Sequence, residues 1–265
     1  MSFIHSGNLK YYSFESLDEF DIHQVVFTRI GGVSQAPYTS LNLGSTVGDD
    51  IVSVNRNKEI ALKSMGLALE SLYEVWQSHG KNVVYARRPR LPSEPYEMAD
   101  VLLTDQPGVT LLMRFADCVP VLLHDPIKNV VGLAHAGWKG TAFKTVAHAV
   151  SSMKDLFGSR PADIFATIGP SICTQHYEIG EDVQVKILDA FGLEASEVLR
   201  NCNGDSSGVC LDLWRANELI LLDSGVRYIQ TSAKCTACDT INWYSHRAEN
   251  GKTGRFGVLI SLNKK

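Results

Sequence analysis

Two β-rich runs joined by a short turn sequence constrain the fold of this chain more than any other feature. Residues 119–123 and 130–135 are rich in valine and leucine, and such runs are typical of buried strands. Between them, Pro126 fixes its own φ, and Asp125 and Asn129 tolerate bent or left-handed backbone. We therefore predict a β-hairpin with a cysteine at its entry and a histidine at its exit.

The length of the turn decides whether Cys118 and His135 can meet. With a two-residue loop centred on Pro126-Ile127 they lie directly opposite each other, whereas with the four-residue loop 126–129 they are diagonal neighbours on one face. We favour the four-residue loop, because proline does not fit a primed two-residue turn. Their β-carbons are about 5 Å apart in the first register and about 7–8 Å in the second. Both registers let a thiolate and an imidazole share one metal ion, and an odd loop length would not.

A glycine-rich break follows the hairpin, and a helix follows the break. Residues 136–141 read AGWKGT, and residues 142–157 have a helical pattern. Free backbone N–H groups at such a helix start could bind an anion, so the segment places a metal-ligand pair beside a seat for phosphate. The alternative is ordinary packing, since free cysteine is among the most buried residue types.

Composition excludes several classes of protein. The 265 residues suffice for a sizeable core, and 45% hydrophobic with 20% charged residues is ordinary for a folded soluble protein. A net charge of −4 gives no reason to expect binding to nucleic acid or an anionic membrane. We find no signal peptide and no apolar run of about 20 residues, so we predict a cytoplasmic location. The six cysteines then favour reduced thiols or metal ligands over a disulfide framework.

Strand and helix patterns mix along the chain without regular alternation. Strand patterns fall at residues 24–29, 72–77, 83–86, 101–104, 109–114, 164–168, 226–230 and 256–262. Helical patterns fall at residues 142–157, 181–191, 211–223, and from Asp49 or Asp50 to Met65, with Gly66 as a stop. This order predicts an α+β fold, with mixed β-sheets covered by helices in a single domain over residues 1–265. The polar segment 33–50 is long enough to be functional, and residues 88–98, with three prolines, are the candidate flexible lid.

The chain resembles the YfiH/YlmD family, whose members carry the names polyphenol oxidase (laccase) and purine nucleoside phosphorylase. Two blocks are highly specific together, Asp117-Cys118-x-Pro120 and His135-Ala136-Gly137-Trp138. Weaker pieces occur in the expected order: Thr28-Arg29-x-Gly31-Gly32-Val33-Ser34, Ser40-Leu41-Asn42-Leu43, Val47-Gly48-Asp49, Asn55-Arg56, Gln77-x-His79-Gly80, Ile168-Gly169-Pro170-x-Ile172, Tyr177-Glu178, Cys235, Ser245-x-Arg247 and Thr253-Gly254-Arg255. The resemblance covers nearly the whole chain and implies a YfiH-like fold.

The resemblance also implies a metal site. It adds His79 to Cys118 and His135 as the ligands of a zinc ion, with copper as the alternative metal. Three protein ligands with one open position are the catalytic pattern rather than the structural one. Lys139 stands where arginine is often expected, and this change keeps the positive charge.

The implied reaction is phosphorolysis by a pentosyltransferase. Inosine, adenosine, guanosine or methylthioadenosine would react with phosphate to give the base and ribose 1-phosphate, and some adenosine deamination is implied as well. The candidate phosphate-binding residues in the family motifs are Arg29, Arg56, Lys139, Arg247 and Arg255. Ser40, Asn42 and Tyr177 could contact ribose or base, and Gln77 and Asp117 could orient the catalytic ligands. Each of these could instead have a surface or structural role, and the partners expected are small molecules, with the protein a monomer or small homo-oligomer.

Three other interpretations remain open. A multicopper oxidase needs many histidines in paired HxH motifs, and none of the eight histidines is paired in this way, so phenol oxidation ranks as a copper-dependent side activity. Cys118 with His135 as base could make a cysteine hydrolase, and some family members are linked to editing of peptidoglycan precursors.

Cys235-x-x-Cys238 is a lone CxxC, which we interpret as two reduced thiols rather than a zinc knuckle or a redox pair. Cys173, Cys202 and Cys210 have no partner that the sequence identifies.

Overall fold

Two six-stranded mixed sheets form the centre of the structure, a computed structural model that describes residues 2–202 and 208–263. The strands are β1 (Ser2–Ser6), β2 (Leu9–Ser13), β3 (Ile22–Phe27), β4 (Leu72–Glu74), β5 (Val83–Tyr85), β6 (Val101–Thr104), β7 (Thr110–Phe115), β8 (Val119–Asp125), β9 (Val130–Ala136), β10 (Phe165–Ile168), β11 (Glu178–Ile179), β12 (Leu199–Asn201), β13 (Val209–Leu211), β14 (Tyr228–Thr231) and β15 (Phe256–Leu262). The helices are α1 (Glu15–Asp18), α2 (Ile51–Ser64), α3 (Trp138–Ala142), α4 (Thr145–Phe157), α5 (Glu181–Phe191), α6 (Ala195–Val198) and α7 (Leu213–Asp223).

The strand order explains why the sequence shows no regular βαβ pattern. The first sheet has the order β1-β2-β3-β15-β7-β4, and the second has β14-β10-β8-β9-β6-β5. Most neighbouring pairs are antiparallel, while β4–β7, β5–β6 and β10–β14 are parallel. A small third sheet, β11-β13-β12, lies outside these two. The predicted α+β class, with mixed sheets and covering helices, is confirmed.

The core is layered, because the central strands of the second sheet, β6, β8 and β9, are buried on both faces. In β8, Val121 and Leu123 pack with α4 and α7, whereas Leu122 between them packs against the first sheet. The other face of the first sheet packs on α2 through Ala61 and Leu62. The β8–β9 hairpin therefore lies in the centre of the molecule, where its register cannot shift without exposing apolar side chains.

Most predicted elements occur within a few residues of their expected bounds. Asp50 caps α2 by accepting hydrogen bonds from the N–H groups of Val52 and Ser53, and Gly66 has a φ of 68° after the helix, as predicted. The helix predicted over residues 142–157 is wrong at its start: α4 begins at Thr145, because Lys144 has a left-handed φ of 53°. The predicted break at residues 136–141 is also wrong in part, because most of α3 lies within it.

The structure contradicts one expectation about the cysteines. Cys202 and Cys210 form a disulfide with a Cα–Cα distance of 5.3 Å. The physical reason is the β12–β13 pairing, in which the Cys202 N–H donates to the carbonyl of Gly208 and brings the two thiols together. Within the described ranges, no helix is long and apolar enough to cross a membrane. A single domain over residues 1–265 stays a prediction.

Candidate active site

The turn between β8 and β9 has the predicted length. Residues 126–129 separate the two strands, and Asn129 has a left-handed φ of 55°. In this register Pro120 is paired with His135, so Cys118, two positions earlier, is the diagonal neighbour of His135 on the same face. The preferred four-residue loop is therefore confirmed.

Three side chains that could hold a metal ion converge at this end of the hairpin. Cys118, His135 and His79 offer ligand atoms that all lie within 4.8 Å of one another, and we call these three residues the ligand trio. His79 follows β4 in a loop and has a left-handed φ of 59°. The ring centroids of His79 and His135 are 4.9 Å apart, with the rings edge to face. His135 is buried, Cys118 half-buried and His79 exposed, so the trio is reachable from solvent on one side.

Gly137 keeps space open beside the thiol. A β-carbon at this position would lie 2.7 Å from Cys118 Sγ, which is closer than real β-carbons come to sulfur. Glycine is therefore required here by close approach rather than by its φ, which is an ordinary −75°. The family block His135-Ala136-Gly137-Trp138 has a direct structural reason at its third position.

Asp100 is hydrogen-bonded to two members of the trio, and the sequence did not indicate this role. Its Oδ1 lies 2.7 Å from His135 Nδ1, so Nε2 is the ring nitrogen left to face a ligand. The same carboxylate accepts hydrogen bonds from the backbone N–H groups of His79 at 3.0 Å, Gly80 at 2.7 Å and Ser78 at 3.1 Å. Asp100 is fully buried, and it therefore fixes two members of the trio at once.

The charges within the trio are strongly coupled. Burial raises the pKa of the Cys118 thiol, but the charge of His135 and hydrogen bonds with both histidines outweigh burial and bring that pKa to about 6. Burial lowers the pKa of His135, but the Cys118 thiolate and the Asp100 carboxylate raise it to about 9. Without a metal the pair is therefore thiolate and imidazolium at neutral pH, and a bound cation would replace the imidazolium proton.

Gln77 and Asp117 position the segments that carry the trio. The Gln77 amide is paired with the backbone of Arg114 through two hydrogen bonds, of 2.8 and 2.9 Å. Asp117, which has a φ of 82°, accepts from Thr236 Oγ1 at 2.6 Å and from the Arg247 N–H at 2.7 Å. These four hydrogen bonds join segments that are distant in the chain, and none of them is made to a member of the trio.

The trio opens into a cavity of about 560 Å³. Its described lining residues are Gly44, Ser45, Thr46, Val75, Trp76, Gln77, His79, Tyr96, Arg114, Ala116, Asp117, Cys118, His135, Gly137, Trp138, Ile172, Tyr177, Leu213, His246, Arg247 and Arg255. Eight predicted site residues are among them: Gln77, His79, Asp117, Cys118, His135, Tyr177, Arg247 and Arg255. The polar segment 33–50 contributes three of the lining residues, and its functional role stays a prediction.

Guanidinium groups give the cavity its positive charge. Arg247 donates to the carbonyls of His176 at 3.2 Å and Glu178 at 3.0 Å. Arg255 donates through Nη1 to two neighbouring backbone carbonyls, and burial lowers its pKa, though it remains a cation at neutral pH. Arg114, which the sequence analysis did not identify, also lines the cavity and is paired with the buried Glu74 at 2.9 Å.

Aromatic side chains form another part of the wall. Trp76 is 52% exposed and Tyr96 is 40% exposed, both large values for side chains of this kind. Tyr96 belongs to segment 88–98, so the candidate lid reaches the cavity, while its motion stays a prediction. Burial and the nearby Cys118 raise the pKa of Tyr177 well above its ordinary value. Tyr177 is therefore a neutral hydroxyl at neutral pH, and its ring lies 5.1 Å below the Arg247 guanidinium.

The remaining predicted substrate-binding residues lie within the described ranges but do not line this cavity. Arg29 forms an ion pair with Glu249 at 2.9 Å, and its guanidinium lies over the Tyr244 ring. Its positive charge is therefore already paired within the protein. Arg56 is exposed and paired with Glu59 one helical turn away. Lys139 is exposed near the Trp138 ring. None of these three is among the described lining residues, and phosphate binding by them stays a prediction.

Ser40 and Asn42 have backbone partners instead of cavity positions. Ser40 Oγ accepts from the N–H groups of Gly31 and Gly32, at 3.0 and 3.1 Å. Asn42 is fully buried, and its Oδ1 accepts from the Arg255 N–H at 2.8 Å. Asn42 also bonds the backbone of Gly44, so it acts on the cavity through the positions of Arg255 and Gly44. Contacts of Ser40 or Asn42 with ribose or base stay predictions.

Comparisons with known proteins agree over nearly the whole chain. The family model described as "Multi-copper polyphenol oxidoreductase laccase" matches residues 23–263. A Deinococcus radiodurans protein named "Purine nucleoside phosphorylase" is 38% identical over 238 residues, which are 90% of this chain and 88% of that protein. "Purine nucleoside phosphorylase YlmD" of Bacillus subtilis is 37% identical over 246 residues, 89% of this chain and 87% of its own.

Solved structures give the same result for the fold. The crystal structure of the hypothetical protein YfiH from Bacillus licheniformis superposes with a TM-score of 0.90 at 31% identity, covering 98% of this chain and 99% of that one. The crystal structure of YlmD from Geobacillus stearothermophilus superposes with a TM-score of 0.91 at 30% identity, covering 99% of both chains.

Proposed function

The chain belongs to the YfiH/YlmD family, whose family model carries the laccase description, and from that membership we propose that it is a zinc-dependent purine nucleoside phosphorylase. The substrates would be inosine, adenosine, guanosine or methylthioadenosine together with phosphate, and the products the free base and a sugar 1-phosphate. The observation that carries the proposal is the cavity in which the ligand trio shares one space with Arg247 and Arg255. Relatives named purine nucleoside phosphorylase support the same class of reaction.

The ligand trio suits a zinc ion. One thiolate and two imidazoles match the donor preference of zinc, and three protein ligands leave one position open for substrate. The missing β-carbon at Gly137 keeps room beside the sulfur. When bound, such an ion supplies Lewis acidity, which is useful in phosphorolysis and in the deamination of adenosine. Deamination is therefore a second reaction that we propose for this cavity.

Phosphate would bind to Arg247 and Arg255. A guanidinium has five N–H donors in a fixed plane, and each of these two uses part of them on backbone carbonyls. The carbonyl contacts hold each group in one orientation, and the remaining donors can bind phosphate oxygens in a bidentate manner. Fixed cations bind an anion with a smaller loss of side-chain entropy than mobile surface cations do.

The purine and the ribose would occupy the aromatic side of the cavity. Trp76 and Tyr96 present rings on which a purine can stack. Tyr177 is neutral at neutral pH, so its hydroxyl can donate a hydrogen bond to the base or to the sugar. Asp100 keeps His135 in one tautomer while the substrate binds.

A multi-copper oxidase is a poorer interpretation of the described residues. In the described part of the chain, two groups of side chains could hold a metal ion; one contains two histidines and the other contains one. The two groups together have fewer imidazoles than a trinuclear copper cluster needs. A single copper ion also accepts the donor set of the trio, so phenol oxidation stays a proposed side activity of copper-loaded protein. The cytoplasmic location and the state of assembly remain predictions.

The decisive experiment measures hypoxanthine release from inosine by zinc-loaded protein, with and without phosphate. We expect release that depends on phosphate and yields ribose 1-phosphate, and we expect Cys118→Ala to abolish it. Release of equal rate without phosphate would instead indicate a hydrolase. No release with any of the four nucleosides would refute the proposal and leave the peptidoglycan-precursor interpretation, which turnover of UDP-linked muropeptides would test.

A further inference from the structure

A second group of metal-ligating side chains lies outside the cavity. The segment after β10 and the segment after β14 each contribute two of them, and their ligand atoms all lie within 4.8 Å of one another. We call this group the second cluster, and its members are Cys173, His176, Cys235 and Cys238. The structure contains all three of these cysteines as free thiols.

The distances within the second cluster match a tetrahedral zinc site. His176 Nδ1 lies 3.4 Å from Cys173 Sγ, 3.4 Å from Cys238 Sγ and 3.8 Å from Cys235 Sγ. Tetrahedral zinc has Zn–S bonds of about 2.3 Å and Zn–N bonds of about 2.0–2.1 Å, which place ligand nitrogen and sulfur atoms about 3.6 Å apart. The three observed distances lie on both sides of that value.

We propose that the second cluster binds one Zn²⁺ ion through three thiolates and one imidazole. Four protein ligands fill the coordination sphere, so this site is of the closed, structural type, unlike the open ligand trio. Thiolate-rich sites favour zinc over magnesium, calcium or manganese, which prefer oxygen ligands.

Backbone contacts hold the two ligand segments beside each other. Ser171 donates its N–H to the carbonyl of Lys234 and accepts at its own carbonyl from the N–H of Thr236, both at 3.1 Å. The Cys173 N–H donates to Cys235 Sγ at 3.3 Å. A backbone N–H directed at a ligand sulfur stabilises the thiolate and orients it, as supporting hydrogen bonds do in metal sites.

Sequence spacing could have suggested each of the two ligand pairs, but not that they meet. Cys235-x-x-Cys238 and Cys173-x-x-His176 are both spaced as zinc-ligand pairs often are. The first was interpreted as two reduced thiols because no second pair was evident. The second pair is 59 residues earlier, measured from His176 to Cys235, and only the parallel approach of the two segments joins them.

The position of the second cluster would allow its metal ion to stabilise one wall of the cavity. The segment with His176 continues into Tyr177, which lines the cavity, and the His176 carbonyl accepts from Arg247. The segment with Cys235 continues into Thr236, which donates to Asp117 beside the ligand trio. The zinc ion would therefore fasten together two segments that form one wall of the cavity.

The test counts zinc per chain in folded, zinc-loaded protein after excess metal has been removed by gel filtration. We expect two zinc ions in the wild type, one in Cys118→Ala, one in Cys238→Ser and none in the double variant. His176 and Cys238 are exposed, so His176→Gln serves as an independent substitution, and it should give the same count as Cys238→Ser. The matched control is the pair Cys202→Ser and Cys210→Ser, which removes two other cysteines and should leave both zinc ions in place.

A spectroscopic arm identifies the ligands. Cobalt-loaded Cys118→Ala should show thiolate-to-cobalt charge transfer and the visible absorption of tetrahedral cobalt, and adding Cys238→Ser should remove both. Because this arm uses the Cys118→Ala background, it does not depend on whether the protein is a phosphorylase. A wild-type count of one zinc that Cys238→Ser leaves unchanged would overturn the second site. A count of one in Cys118→Ala that persists after Cys238→Ser or His176→Gln would overturn it as well.

Discussion

Asp100 Oδ1 and His135 Nδ1 lie 2.7 Å apart, and this contact joins the residue that precedes β6 to β9, next to the other members of the ligand trio. The His135 N–H also donates to the carbonyl of Asp100 at 2.8 Å, so backbone and side chain are both fixed. Burial alone would raise the pKa of Asp100, but His135 and the neighbouring donors lower it, and the carboxylate stays charged at neutral pH. A charged partner raises the basicity of the imidazole toward a metal.

Asp100→Asn should therefore lower metal affinity at the trio by about 10- to 100-fold. The amide is neutral and holds the imidazole less strongly, while its size is almost unchanged. Affinity is measured by competition with a chelator. Asp105→Asn is the control, because Asp105 bonds Tyr85 rather than the trio. Equal affinity in Asp100→Asn and wild type would show that the contact does not tune the site.

Arg255→Ala and Arg247→Ala should each raise the KM for phosphate by about 10- to 100-fold, because a hydrogen bond to a charged group contributes about 1.5–3 kcal/mol. The KM for inosine should change much less. Arg56→Ala is the matched control, since that arginine is exposed and paired with Glu59 on α2. If Arg56→Ala had the same effect on the phosphate KM, the phosphate would not bind in this cavity.

Trp76→Ala should raise the KM for nucleosides by roughly 5- to 100-fold, since stacking of a base on an aromatic ring contributes about 1–3 kcal/mol. Met98→Ala is a close control, because Met98 pairs with Trp76 in an isolated β-bridge, is 61% exposed and is not among the described lining residues. Steady-state kinetics at saturating phosphate separates the two. An unchanged nucleoside KM in Trp76→Ala would place the purine elsewhere.

Glu74→Gln should destabilise the fold by about 3–5 kcal/mol at pH 7, because it leaves the buried Lys58 and the half-buried Arg114 without their carboxylate partner. Urea unfolding measures the change. Glu59→Gln is the control: its ion pair with Arg56 is exposed, and its loss should cost less than about 1 kcal/mol.

The same carboxylate predicts a pH dependence with a defined sign. Burial would raise the pKa of Glu74, but Arg114 and Lys58 outweigh it and lower that pKa below its ordinary value of 4.5. Glu74 binds a proton more readily in the unfolded chain, so its stabilising contribution is complete above pH 4.5 and is lost as the pH falls through the folded value. The stabilities of wild type and Glu74→Gln should therefore converge in acid. A difference that stays constant from pH 7 to acid would contradict this assignment.

Local chemistry accounts for the parts of the fold that the sequence predicted well. The β8–β9 register follows from Asn129 in a left-handed position and from strands that alternate between two buried faces. The start of α2 follows from the Asp50 cap. The break at Lys144 was missed, because nothing in the helical pattern of residues 142–157 indicates a left-handed residue.

The sequence by itself determined that Cys118 and His135 share one face of a hairpin, because both belong to a single local element with a fixed turn. The family resemblance added His79, which spacing could not select among eight histidines. Only the tertiary structure decided that Asp100 supports the trio, that Arg114 joins Arg247 and Arg255 in the cavity, and that Ser40 and Asn42 bond backbone instead. It also brought Cys173 and His176 to Cys235 and Cys238. These contacts join segments far apart in the chain, and the packing of the two sheets, rather than any local spacing, determines which of them meet.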